Sequence, residues 1–204
     1  MSDPVPASPP QPVPGALIQH FAPDPQERTT QHVPVDADPG TSYAAIRSAN
    51  LVNVPVTRIL SEVAWVPVEL AARLRRGRNA ALGHTAHLED MLADDSPWTL
   101  LDEEPGVELV LGILWKPPSG AERRDAGEFA AFSEPGIVKV AWSHSVIPYG
   151  TGSLLVAETR TVATDATARR RFGAVWPVVG PFAAVARRGV LQAMREHAET
   201  AASS

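Results

Sequence analysis

GSLLVAETRTVATDATARRRFGAVWPVVGPFAAVARRGVLQAMREHAET, residues Gly152 to Thr200, decides the fold. Its first part is dominated by Leu, Val and Thr over Leu154 to Val162, a composition suited to a pleated, half-buried strand. The period changes at Thr164 and Asp165, residue types that cap helix N-termini, and an Ala-rich run follows. A strand therefore feeds a long helix. Along it Phe172, Val175, Trp176 and Val179 fall at i, i+3, i+4 and i+7, which makes one face bulky and apolar, while Arg169 and Arg170 open the charged side. Such a face has to cover something. Pro181, after Gly180, has no amide hydrogen and crowds the preceding turn, which predicts a kink or restart over 177–181; Phe182, Val185, Val190 and Met194 then continue the apolar stripe.

Working back toward the N-terminus, Ile137 to Ile147 alternates, with Val138, Val140, Trp142, His144 and Val146 on one face and Lys139, Ser143 and Ser145 on the other. The even face is predicted to be the inner one, and Tyr149 to Gly152 supplies a hairpin into the last strand. In Val107 to Trp115 the odd positions Leu109, Leu111, Ile113 and Trp115 share the inward face, and Pro105-Gly106 turns the chain back to a strand over Trp98 to Glu103. Phe129 and Phe132 lie in a short apolar piece after the loop Pro117 to Gly127. Arg28 to Val35 reads as a first strand, at an edge because Pro34 lacks a donor. Three helical pieces are predicted to follow: Ser42 to Ser48 capped by Thr41, Val56 to Glu62, and Pro67 to Arg76. Residues 1–15 are proline-rich and predict an extended, disordered tail, which Leu17, Ile18 and Phe21 anchor to the domain.

The order ETRT, TDATARRRF, WPVVGPF and a charged helical end resembles the C-terminal segment of the START-like superfamily, also called Bet v 1-like, SRPBCC or polyketide cyclase-like, particularly its actinobacterial members. LVLGILWKP (Leu109 to Pro117) and EFAAFSEPGIVKVAW (Glu128 to Trp142) are similar to these proteins too, so the likeness covers residues 16 to 199. The resemblance implies an α+β helix-grip fold: a curved antiparallel sheet wrapped on a long C-terminal helix, with a helical insertion after the first strand. It also implies an apolar cavity between sheet and helix. The expected organisation is a tail over 1–15, one START-like ligand-binding domain over 16–200, and a disordered end over 201–204.

Composition narrows the function. With 204 residues, 44% of them hydrophobic, the chain can bury a real core in one domain. A formal net charge of −5 argues against nucleic-acid binding, which needs a basic footprint. Cysteine is absent, which rules out disulfides, a thiolate nucleophile and zinc-thiolate sites. No run approaches the ~20 apolar residues that span a bilayer, and the N-terminus has no basic start followed by an apolar segment, so a cytoplasmic protein is expected. No cofactor is implied, and a monomer and a homodimer are both compatible with the chain.

Neither a nucleophile elbow, a metalloprotease motif nor a dinucleotide fingerprint is present, and Gly150-Thr151-Gly152-Ser153 lacks the Lys of a phosphate loop. His84 and His87, with Glu89 or Asp90, have metal-ligand spacing but read better as a solvated segment, so no metal site is assigned. Arg73, Arg75, Arg76 and Arg78 read as the solvated end of a helix. The residues expected to line a ligand site are Trp115, Phe129, Trp142, His144, Glu158, Arg160, Phe172 and Trp176. His144 is either a titratable group in the cavity or a neutral core histidine. Glu158 and Arg160 stand under the helix if the even face of the last strand is inward, and in water if Thr159 and Thr161 are inward instead. His144, Glu158 and Arg160 are also the only catalytic candidates. The implied function is binding of a hydrophobic or aromatic small molecule. A cyclase, aromatase or dehydratase acting on such a ligand, or a co-chaperone-like interaction module without a cavity, are the alternatives.

Overall fold

The computed structural model describes residues 13–51, 87–93, 96–116 and 120–204, not including the side chains of Val178 and Phe182. In chain order they form α1 (Ala16–Phe21), β1 (Glu27–Val35), α2 (Pro39–Ser48), a 3₁₀ turn (Leu88–Leu92), β2 (Thr99–Glu104), β3 (Glu108–Lys116), β4 (Gly120–Glu122), α3 (Ala126–Ala131), β5 (Val138–Tyr149), β6 (Gly152–Ala163) and α4 (Ala166–Ala202). The strands make one antiparallel sheet in the order β1-β6-β5-β3-β2, with β4 paired to β3. The first strand thus lies beside the last, and the helix that follows β6 packs along one face, which is the helix-grip arrangement. The expected helical pieces Val56 to Glu62 and Pro67 to Arg76, the arginines between 73 and 78, His84, and residues 1–12 of the expected tail lie outside the described residues.

Local chemistry explains the connections. Gly106 takes a positive φ of 84° in the β2–β3 turn, where a side chain would be strained. Gly152 opens β6 where that strand passes β1, and a Cβ there would sit 2.3 Å from the Val35 carbonyl oxygen. Asp165 caps α4 by accepting from the Ala168 amide at 2.6 Å. The α2 cap is Asp38 and not Thr41: its carboxylate accepts from the Gly40 and Thr41 amides, and Pro39 supplies a preset φ at the first helical position.

α4 runs through Pro177 and Pro181 as one helix, so the chain does not restart there, because each proline removes only one hydrogen bond from a helix anchored on both sides of it. It also extends past residue 200 to Ala202, where the Ser203 and Ser204 hydroxyls donate to the Glu199 and Thr200 carbonyls that the helix end leaves unpaired.

Both faces of the sheet are covered. On the inner face, toward α4, Leu109, Leu111, Val146, Leu155 and Ala157 pack with Ala186, Val190, Leu191, Met194 and Ala198 of the second half of α4 and with Ile46 of α2. A separate, smaller cluster joins Val138 to Ala168 and Phe172 of its first half. On the outer face α1 and α3 deliver Ile18, Phe21 and Phe129 onto Val110, Leu114 and Ala141.

Candidate functional site

The even positions of β6 turn away from α4. Glu158 and Arg160 lie on the outer face, and their placement under the C-terminal helix is corrected. Both are nonetheless buried, because α1 covers them. The Glu158 carboxylate accepts from Arg160 Nε at 2.5 Å and from Arg28 Nη2 at 3.0 Å, and Arg160 Nη1 donates to the Ala22 carbonyl at 3.0 Å and to Gln19 Oε1. This network holds the N-terminal helix to the sheet and leaves neither group on the inner face. Phe129 is corrected in the same way: it is buried in the outer cluster, edge-on to Phe21 at 6.3 Å, with Lys139 Nζ 5.0 Å from its ring centroid. Glu108 completes the outer layer. It accepts from the backbone amides of Gly15, Leu17 and Ile18, and burial pushes its pKa up against the pull of those donors.

The other expected residues do share the inner face. Strand register places Leu109, His144, Ala157 and Gln31 in one row across β3, β5, β6 and β1, and Leu111, Trp142, Thr159 and Thr29 in the next. Trp142 stacks obliquely on His144, with centroids 4.5 Å apart, and meets Trp98 at 5.9 Å. Toward the other end Trp115 is edge-on to Phe172 at 6.3 Å, and Phe172 stacks on Trp176 at 5.0 Å. Phe172 is buried, but Trp98, Trp115, Val140, Trp142, Thr159 and Trp176 are only half-buried. The two inner clusters therefore do not merge into one sealed core, and an aromatic-walled zone lies between them.

Polar atoms collect in that zone. Among the described residues, Thr29 Oγ1, Gln31 Oε1, Trp142 Nε1, both ring nitrogens of His144, and Arg187 Nε and Nη2 are buried without a hydrogen-bond partner. Leaving such groups unpaired carries a penalty of about 1–3 kcal/mol each, so this many on one face is not the signature of a packed core. Gln31 Nε2 donates to the Ala184 carbonyl at 3.1 Å, which seats α4 over β1 one turn before Arg187. His144 is fully buried, and desolvation alone holds its pKa down to about 3. It is a neutral imidazole at physiological pH, suited to exchanging hydrogen bonds and too weak a base to take protons efficiently. Arg187 is also pushed down by burial, opposed by the field of Glu27 on β1.

Thr29, Gln31 and Arg187 escape the reading of strands and helix by apolar period alone, yet two signals mark them. Thr29 and Gln31, with Glu27, are the polar members of the β1 face that carries Val33 and Val35 inward. Arg187, Val190, Leu191, Met194 and Ala198 fall at i, i+3, i+4, i+7 and i+11, which puts a guanidinium at the head of an apolar stripe. His87 is removed from this zone. Its ring Nδ1 lies 3.2 Å from the Ala49 carbonyl and its amide donates to Asp90, so it fastens the 3₁₀ turn to the end of α2.

No protein-family model matches the chain, and no curated protein sequence matches it. Solved structures do. Protein MLL2253 from Mesorhizobium loti is 14% identical over 80% of this chain and 96% of its own, with a TM-score of 0.33. Protein CV1439 from Chromobacterium violaceum is 11% identical over 84% and 97%, with a TM-score of 0.36. Ara h 8.0201 is 9% identical over 85% and 98%, with a TM-score of 0.26. At identities and scores this low no residue's role passes from those proteins to this chain. The chain's own topology, an antiparallel six-stranded sheet with β1 beside β6 and a C-terminal helix along one face, makes it an α+β protein with the helix-grip arrangement.

Proposed function

We propose that this protein binds a hydrophobic or aromatic small molecule between the inner face of the sheet and α4, in the zone walled by Trp115, Trp142, His144, Phe172 and Trp176. One observation carries the reading: half-buried aromatic side chains surround a group of buried polar atoms that find no partner among the described residues. Sites for small molecules have this composition, an apolar wall with a few placed polar groups that fix orientation. A binding role is favoured over the cyclase-like one because His144, the catalytic candidate that remains on this face, is a neutral and weakly basic imidazole.

The test is a titration with N-phenyl-1-naphthylamine, an uncharged fluorescent probe. Saturable binding of one probe per chain is expected, with energy transfer from tryptophan. Thr159→Trp, which places an indole between Thr29 and Trp142, should abolish binding while leaving the circular dichroism spectrum intact. Absence of saturable binding to the wild-type protein would overturn the reading.

A further inference from the structure

We infer that the molecule bound in this zone is an organic carboxylate whose two oxygens dock side-on to the Nε and Nη2 edge of Arg187. The inference rests on the binding reading above and adds the chemistry of the ligand's head group. Arg187 is buried, with 6% of its surface exposed, yet the two nitrogens that form one edge of its guanidinium have no partner among the described residues. That edge is the flat pair of parallel N–H donors that matches a carboxylate two-for-two. Other buried or partly buried cations here are matched: Arg160 by Glu158, Arg47 by Glu103, and Lys139 by the Ala130 carbonyl. Glu27 is near enough to act on Arg187 electrostatically, but no ion pair forms between them within 4.0 Å.

The position fits an anion with an apolar body. Arg187 heads the apolar stripe of α4, one turn after Ala184, which is bonded to Gln31. Glu27, which acts on Arg187 electrostatically, shares its face of β1 with Thr29 Oγ1 and Gln31 Oε1, and in the same two rows of the sheet Trp142 Nε1 and the His144 ring end the polar group on β5. A carboxylate on Arg187 would leave a second oxygen lone pair within the zone for the Trp142 N–H, the Thr29 hydroxyl or a neutral His144 N–H, all of them able to donate. The aromatic walls would take the rest of the molecule. An uncharged ligand of the same shape would leave the guanidinium edge unpaired, and a cation would be repelled by it.

Two acid–amide pairs test this by displacement of N-phenyl-1-naphthylamine: 2-naphthoic acid against 2-naphthamide, and dodecanoic acid against dodecanamide, at pH 8. Within at least one pair the acid should displace the probe at a concentration about tenfold or more below its amide, the margin expected of a charge-assisted two-bond contact. The pair that shows the preference tells an aromatic body from an aliphatic one. In Arg187→Met, which keeps the apolar stem, the acid-to-amide ratio should fall to near one. The wild-type comparison requires no variant, so it stands if Arg187→Met does not fold. Equal displacement by acid and amide in both pairs would overturn the carboxylate assignment while leaving the binding reading intact. Failure of the probe itself to bind would remove both.

Discussion

His144 shows how far one side chain's surroundings set its chemistry. The ring is fully buried against Trp142 and no carboxylate pairs with it, so desolvation lowers its pKa from an ordinary 6.5 to about 3. The sign of the linkage follows. Between those two values the unfolded chain holds a proton that the folded chain refuses, so stability falls as pH falls through 6.5 and recovers as pH rises. The expected slope is at most about 1.4 kcal/mol per pH unit. Urea unfolding of the wild type and of His144→Gln at pH 7 and pH 5 isolates this one group, since every other titration is common to both proteins. The wild type should lose about 2 kcal/mol more than the variant across that interval. A pH-independent difference would mean that the folded protein protonates the ring, through water admitted to the zone.

At the scale of elements, the sequence was legible where one face of a strand was bulkier and more continuously apolar than the other, and illegible where the two faces were alike. The odd face of β3 carries Leu109, Leu111, Ile113 and Trp115, the even face of β5 carries Val138, Val140, Trp142 and Val146 with His144 among them, and both face α4. β6 could not be oriented in that way. Both of its faces are covered, so Leu154 and Val156 alternate with Leu155 and Ala157 and hydrophobicity does not discriminate. What decides is α1, six residues whose reach over the outer face no periodicity announces. Glu158, Arg160 and Phe129 were expected beside the ligand and instead secure that helix. The consequence is measurable. Glu158→Leu leaves the Arg160 guanidinium buried without its carboxylate and should cost about 3–5 kcal/mol, while Arg28, largely exposed, simply turns to water. Adding Arg160→Met should recover part of the loss, with a coupling above about 1 kcal/mol; recovery stays partial because the Ala22 carbonyl and Gln19 lose their donor. Additive effects would mean that the pair is solvated and that α1 does not seal it.

Across the whole molecule, the two layers on either side of the sheet are built differently, and that difference predicts where the fold opens. The outer layer pairs its buried charges: Glu108 with three amides, Glu158 with two arginines, Lys139 with a carbonyl. The inner layer holds unpartnered polar atoms between two apolar clusters of unequal size. The second half of α4 is fastened by the larger cluster through Ala186, Val190, Leu191, Met194 and Ala198, and the first half, among the described side chains, by Ala168 and Phe172. Between these anchors Pro177 and Pro181 offer no amide hydrogen, so the carbonyls of Gly173 and Pro177 lose their usual helical donors. Local opening should therefore begin over residues 173–184, where the prolines interrupt the helical hydrogen bonds and none of the described side chains is buried. Hydrogen exchange followed by mass spectrometry should find amides in 173–184 exchanging about tenfold or more faster than those in 186–198. A saturating concentration of 2-naphthoic acid should slow the first segment and leave the second almost unchanged, since a ligand stabilises most the state that closes over it. Uniform exchange along α4 would mean instead that the helix leaves the sheet as one unit, and entry to the zone would then require loss of the larger cluster as well.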